Sequence, residues 1–377
     1  KAVNEYKIAE QLALKSSFIF MPQKNWFISE SRLKQGISLV RSLRNSEAVA
    51  PLLAFIGDNK NDSRTDQALF WLAEAYYRSD LLNNSAEKYQ SLINIYPKSE
   101  LREEAYYGLG WSNFRLKNFK QSSETFNKML QEFPDSKYGL EVLTRQGDGY
   151  YITRDYKNAA ACYKRAAERA PGSEEGQYSA YQLCHAYYRM GHLEEAVTSL
   201  LAFVRRYSKS SYSAHALYLT GWIRFQQKKY SEAVDDFQFL TQAYPNSTLV
   251  PRAFYAIGDC YYNQGNFEKA IESYKHVVES YPSDPLAPEA LKSMQDCFLS
   301  LGQNEEAIKI ADKFVETNPS SPFAADFVFK KGEMFYTGKN YKDAVSEYES
   351  FIKKYPESDK NAEALFWMGK SYLNLND

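Results

Sequence analysis

Apolar residues recur along this chain at the three- and four-residue spacing of amphipathic helices, in blocks too short to bury a face alone. The stretch Pro251 to Pro282 shows the unit most clearly. Phe254, Ile257, Gly258 and Tyr261 share one face, Gln264-Gly265-Asn266 breaks the pattern, and Ala270, Tyr274 and Val277 resume it. Tyr281-Pro282 then stops the second helix, because proline lacks an amide and disfavours helix in the residue before it. The spacing therefore predicts two short helices joined by a tight turn.

Steps of 37 residues from Pro97 land on Pro134, Pro171, Ser208, Pro245, Pro282, Pro319 and Pro356. The same step links the small residues of the first helix: Gly36, Ala73, Gly110, Gly147, Cys184, Gly221, Gly258, Gln295, Gly332 and Gly369. Only Gln295 is out of character, which predicts looser packing in its repeat. The second helix carries a small residue at Ala48, Ser85, Ser122, Ala159, Ala196, Ala233, Ala270, Ala307 and Ala344. Four residues on, the series is mostly large: Leu52, Tyr89, Phe126, Tyr163, Leu200, Phe237, Tyr274, Ala311 and Tyr348. Small against large is how a helical hairpin interdigitates. Ser or Asp two residues past each proline position, from Asp62 and Ser99 to Ser358, is expected to cap the next helix.

These positions resemble the tetratricopeptide repeat family, whose pattern of aromatic, Leu, Gly, Tyr, then Ala, aromatic, Ala and Pro is matched by Phe254, Ile257, Gly258, Tyr261, Ala270, Tyr274, Val277 and Pro282. The resemblance covers nearly the whole chain. It implies an all-α fold, a right-handed superhelical α-solenoid of helix-turn-helix repeats. The period departs from the usual 34, and the three extra residues are expected to lengthen the start of the first helix. This longer variant, with its YP-x-S joint, is similar to envelope repeat proteins of Gram-negative bacteria of the BamD and CpoB (YbgF) kind. Nine repeats are expected over 29–356, with the first helix of an incomplete tenth over 362–377. Residues 1–22 are expected to hold one helix, Ala2 to Phe20, ended by Pro22, a degenerate half-repeat. The last helix, with Leu365, Phe366, Trp367 and Tyr372, is apolar and uncapped. A longer polypeptide, or self-association through that helix, is the expectation.

Composition adds mostly exclusions. The formal net charge of -1, from 46 basic and 47 acidic side chains, lacks the basic excess that nucleic-acid binding needs. No apolar run is long enough to span a membrane. Cys162, Cys184, Cys260 and Cys297 are far apart and read as small buried residues. No phosphate-loop, zinc-helix or nucleophile-elbow motif is present, so neither a cofactor nor a metal is expected, nor an enzyme. His185 and His215 occupy corresponding faces of successive repeats and read as ordinary surface histidines.

In this family the concave face belongs to the first helix. There the twelfth repeat position carries Tyr77, Phe114, Tyr151 and Tyr188, and the fifth carries Tyr107 and Tyr181. These form two aromatic tracks, at positions that also serve interhelical packing. The ninth position adds Trp111, His185 and Trp222, and the thirteenth adds Arg78, Arg115 and Arg189. Together these residues are the candidate partner-binding groove. They suit a protein or peptide segment with acidic residues and an aromatic or hydrophobic anchor, although the arginines have Glu74, Glu104 and Glu141 as rival partners. Asp259, Asp296 and Glu333 mark the groove further on. The Lys, Asn, Lys set with which chaperone-binding members hold a terminal carboxylate is missing, since only Lys292 matches. The resemblance thus implies a scaffold for partner proteins in cell-envelope assembly or organisation, periplasmic or envelope-associated. A docking or regulatory region of a larger enzyme or receptor, a peptidoglycan- or glycan-binding module, and a cytoplasmic location stay open.

Overall fold

The computed structural model describes residues 1–16, 21–59, 62–319, 321 and 323–375. Among these there are α-helices and no strands. In order they are α1 (Ala2–Lys15), α2 (Met21–Arg41), α3 (Asn45–Asp58), α4 (Thr65–Arg78), α5 (Leu82–Ile95), α6 (Arg102–Arg115), α7 (Phe119–Glu132), α8 (Gly139–Ile152), α9 (Tyr156–Arg169), α10 (Glu174–Arg189) and α11 (Leu193–Arg206). There follow α12 (Ser213–Gln226), α13 (Tyr230–Ala243), α14 (Val250–Asn263), α15 (Phe267–Ser280), α16 (Ala287–Ser300), α17 (Asn304–Thr317), α18 (Ala324–Thr337), α19 (Tyr341–Lys354) and α20 (Asn361–Leu375). The fold is an all-α repeat solenoid. It divides into two compact units, Lys1–Ala196 and Val197–Asp377.

Within each unit a second helix packs both on the first helix of its own repeat and on that of the next, as α5 does on α4 and α6 and α15 does on α14 and α16. The small residue of the first helix meets the large residue of the second, sixteen residues on. A Cβ added at Gly110 would lie 2.1 Å from the Phe126 ring. Tyr89, Phe126, Tyr163, Phe237, Tyr274 and Tyr348 are all fully buried against this position. Gln295 is no loose joint. It is 1% exposed, and the large position opposite it is Ala311, also 1% exposed, so the volumes are exchanged rather than lost. Its Nε2 reaches the Ala307 carbonyl at 3.4 Å.

The punctuation is also structural. Leu43, Asp80, Lys117, Arg154, Gly191, Lys228, Gly265, Gly302 and Lys339, again 37 residues apart, all have positive φ and end the first helix. The amide after each reaches back five residues, as Asn118 does to the Asn113 carbonyl at 2.9 Å, the signature of a left-handed helix stop.

Two expectations are corrected at the joints. The extra residues of the 37-residue period do not lengthen the first helix. They form a turn, closed in one repeat by Ser99 N–H to Tyr96 O at 3.1 Å and Arg102 N–H to Ser99 O at 3.3 Å. The conserved-phase Ser or Asp sits in that turn and accepts from the amide two residues on, as Ser136 Oγ does from Tyr138 at 3.1 Å, instead of capping the helix. Ser173 is the exception. There α10 starts at once, and Ser173 Oγ accepts from Gly176 N–H at 3.0 Å as a true cap. Nor does Pro22 end a helix. The first helix stops at Lys15, and Pro22 lies in the first turn of α2, where a missing amide leaves nothing unpaired. The expected continuation through Phe20 falls on residues 17–20, outside the described residues.

Candidate functional site

In the first unit the first helices of successive repeats touch, α2 with α4, α4 with α6, and α8 with α10, so they share one face. The candidate aromatic residues on it are half-buried. Between α4, α5 and α6 this face opens into a slot of about 310 Å³ lined by Glu74, Tyr77, Arg78, Tyr89, Tyr107, Gly108 and Trp111. Four of these, Tyr77, Arg78, Tyr107 and Trp111, were expected from the sequence.

Glu74 was expected as a rival partner of the arginines and Tyr89 as the large packing residue of its hairpin, whereas Gly108 was unforeseen. Its position in successive repeats reads Lys34, Trp71, Gly108, Arg145, Gln182, Leu219, Ala256, Ser293, Lys330 and Trp367. The lone glycine in this series was the available signal. A Cβ there would lie 2.3 Å from Tyr89 Cζ. Tyr89 faces Ala73, where most repeats have glycine, so its ring is accommodated on the Gly108 side. The ring cannot yield, being fully buried with its hydroxyl donating to Glu74. Burial, and then the Glu74 charge, push the Tyr89 phenol well up, so it stays a donor.

The arginines have partners. Arg78 donates to Glu74 from Nε at 3.1 Å and pairs through Nη2 at 3.0 Å. Arg115 lies 4.9 Å from the Tyr77 ring centre and donates to Asp80 at 2.8 Å. Arg145 stands 6.0 Å from the Trp111 ring and pairs with Asp148 at 2.5 Å. The Arg78–Glu74 pair is thus the rival partnership realised, whereas Glu104 pairs with Lys137 and Glu141 accepts from the Tyr107 hydroxyl at 2.8 Å.

The rings form a connected patch. Tyr107 stacks on Tyr138 with centres 4.2 Å apart and meets Trp111 edge-on at 6.4 Å, and Trp111 meets Phe114 at 5.6 Å. A second cluster gathers around Tyr156, which Tyr151 meets edge-on at 5.3 Å and whose hydroxyl accepts from Arg189 at 2.9 Å. On α10, Tyr181 and His185 meet edge-on at 4.6 Å, and Tyr188 is half-buried. Trp222 belongs to the second unit, 37% exposed and stacked on Phe225 at 5.5 Å.

The ninth-position carboxylates serve the fold more than the groove. Asp148 accepts from Tyr163 at 2.8 Å and Tyr178 at 3.0 Å, and Asp259 accepts from Tyr274 at 2.7 Å. Burial pushes the Asp259 carboxyl up to about 6 against the opposing Tyr274 hydrogen bond. Lys292, the one clamp-type lysine, pairs with Asp326 at 3.3 Å. Among the described residues no group of three or more His, Cys, Asp or Glu could hold a metal ion, and no helix is long and apolar enough to cross a membrane.

Comparison with known proteins gives matches to three family models. Residues 139–311 match the family described as Outer membrane lipoprotein. Residues 67–99, 104–136 and 298–359 match Tetratricopeptide repeat families. No curated protein matches the chain. Among solved structures, the C-terminal part of a TPR repeat-containing protein from Cytophaga hutchinsonii is similar at 16% identity and a TM-score of 0.52, over 68% of this chain and 98% of that one. A tetratricopeptide repeat protein from Parabacteroides merdae aligns at 16% identity and a TM-score of 0.43, over 71% and 98%. At this identity the likeness to the Cytophaga protein concerns the fold alone.

Proposed function

The chain is a tetratricopeptide-repeat protein resembling repeat proteins of bacterial envelopes, and from that premise we propose that it is a docking scaffold for partner proteins in such an envelope. The first-helix face of the first unit is the docking face in this reading, and the slot at Gly108 is the observation that carries it. A face built only for close packing leaves no such volume between its helices. The match of residues 139–311 to an outer membrane lipoprotein family supports the envelope setting. A sugar-stacking role has less support, because rings such as Tyr107 already lie flat on a neighbour.

Site-specific photo-crosslinking in cells tests this reading. Tyr77→p-benzoylphenylalanine should give discrete protein adducts in the envelope fraction. The same replacement at Glu124, exposed on α7 away from the slot, should not. Equal adducts from both positions, or none from Tyr77, would reject the docking face. Replacing Arg78 and Arg115 together with alanine should weaken the captured interaction and flatten its salt dependence.

A further inference from the structure

We infer that the slot is a receptor for one aromatic side chain of a partner segment with an acidic residue beside it, and that Gly108 sets this selectivity. The inference rests on the docking reading above and deepens it. Four of the seven lining residues are aromatic, and about 310 Å³ has room for a single ring, since an apolar cavity of about 150 Å³ takes benzene. Of the lining rings, Tyr107 and Trp111 meet edge-on with centres 6.4 Å apart, and an incoming ring extends that geometry.

The charges argue against a cationic occupant. Glu74, the one carboxylate in the slot, already holds the Tyr89 hydroxyl and the Arg78 guanidinium. Arg115 and Arg145 stand 4.9 and 6.0 Å from the ring centres of Tyr77 and Trp111, so an incoming lysine or arginine would be brought beside two guanidinium groups already there. The rim instead offers donors. Arg78 spends Nε and Nη2 on Glu74, so its opposite edge, at Nη1, faces away from that pair on a side chain 42% exposed. A carboxylate next to the inserted ring can take that edge without breaking the Glu74 pair.

Gly108 makes the site possible. A Cβ there would lie 2.3 Å from the fully buried Tyr89 ring, so any side chain would have to displace a ring that lines the slot.

The test uses the full chain and the peptide acetyl-Gly-Ser-(4-fluoro-Phe)-Asp-Gly-Ser-amide, followed by fluorine NMR line broadening. Competing peptides carry Trp, Phe, Leu or Lys at the central position, and a further one has Asn for Asp. The Phe and Trp peptides should compete about tenfold better than Leu, and Lys should be weakest. The Asn peptide should bind a few-fold more weakly and lose salt dependence. Gly108→Leu should abolish binding. Tyr77→Ala, at a half-exposed ring that tests the site without disturbing Tyr89, should weaken it about tenfold. Leu competing as well as Phe, or Lys competing best, would overturn the inference. If no peptide binds while crosslinking from Tyr77 persists, the selectivity is wrong and the docking face stands. Loss of both would remove the docking reading as well.

Discussion

The close approach of the two helices within a repeat makes Gly258→Ala the sharpest probe of this fold. A Cβ at Gly258 would lie 2.4 Å from Tyr274 Cε1 and 2.6 Å from Cδ1. Tyr274 is 1% exposed, and its hydroxyl is held on Asp259 at 2.7 Å, so the ring has no free direction in which to move. Overpacking of this kind costs about 1–3 kcal/mol. Alanine for glycine in a helix interior returns about 1 kcal/mol. The net loss should be about 0–2 kcal/mol, confined to the hairpin of α14 and α15. The chain does tolerate alanine at the equivalent Ala73, but there the next repeat supplies Gly108 to take the displaced Tyr89 ring. The residue in that place beyond Tyr274 is Ser293, so the relief is missing. In a Tyr274→Ala background, which copies the small residue found at Ala311, the same Gly258→Ala change should become stabilising by about 1 kcal/mol. Repeat arrays open locally, so amide hydrogen exchange in α14 and α15 reads the effect better than a global melt. An equal cost of Gly258→Ala in both backgrounds would refute the reasoning, as would a gain in the native one.

Three further outcomes follow from the geometry. Burial raises the Asp259 carboxyl to about 6, above its unfolded value, so the stability this implies is complete below pH about 4 and is lost as pH rises through 6. Its size is up to about 3 kcal/mol, less whatever solvent screens. Asp259→Asn should flatten the urea midpoint between pH 4 and 6, and an unchanged slope would contradict the assignment. Lys228 holds φ 61° at a helix stop, so Lys228→Gly should stabilise the hairpin of α12 and α13 by about 0.5–1 kcal/mol in exchange experiments, and a loss would argue against strain there. All four thiols are buried, with Cys162 pushed up to about 11 and the others to about 12, so a thiol reagent at pH 8 should modify none in the native protein and all four in urea.

The 37-residue period, the hairpin and the small-against-large pairing were legible in the sequence because they join positions at fixed separations inside one repeat. Helical geometry carries that separation directly into space. The joints were less legible. A serine near a helix start serves equally as a cap or as a turn acceptor, and which it does depends on where the next helix must begin. Only Ser173 turned out to cap. Part of the slot was visible, since Tyr77, Arg78, Tyr107 and Trp111 were read onto one face and do line it. What each arginine grips was decided by the tertiary structure, because Glu74, Asp80 and Tyr156 are three of several acceptors within reach of a long side chain. Gln295 and Gly108 show the same limit from the packing side. A residue that breaks a series looks like a defect until its neighbours are placed. Ala311 then turns the first into an exchange of volume, and Tyr89 turns the second into the floor of an open slot. Cavities are made by what several separate segments leave unfilled, and no single segment of sequence records that.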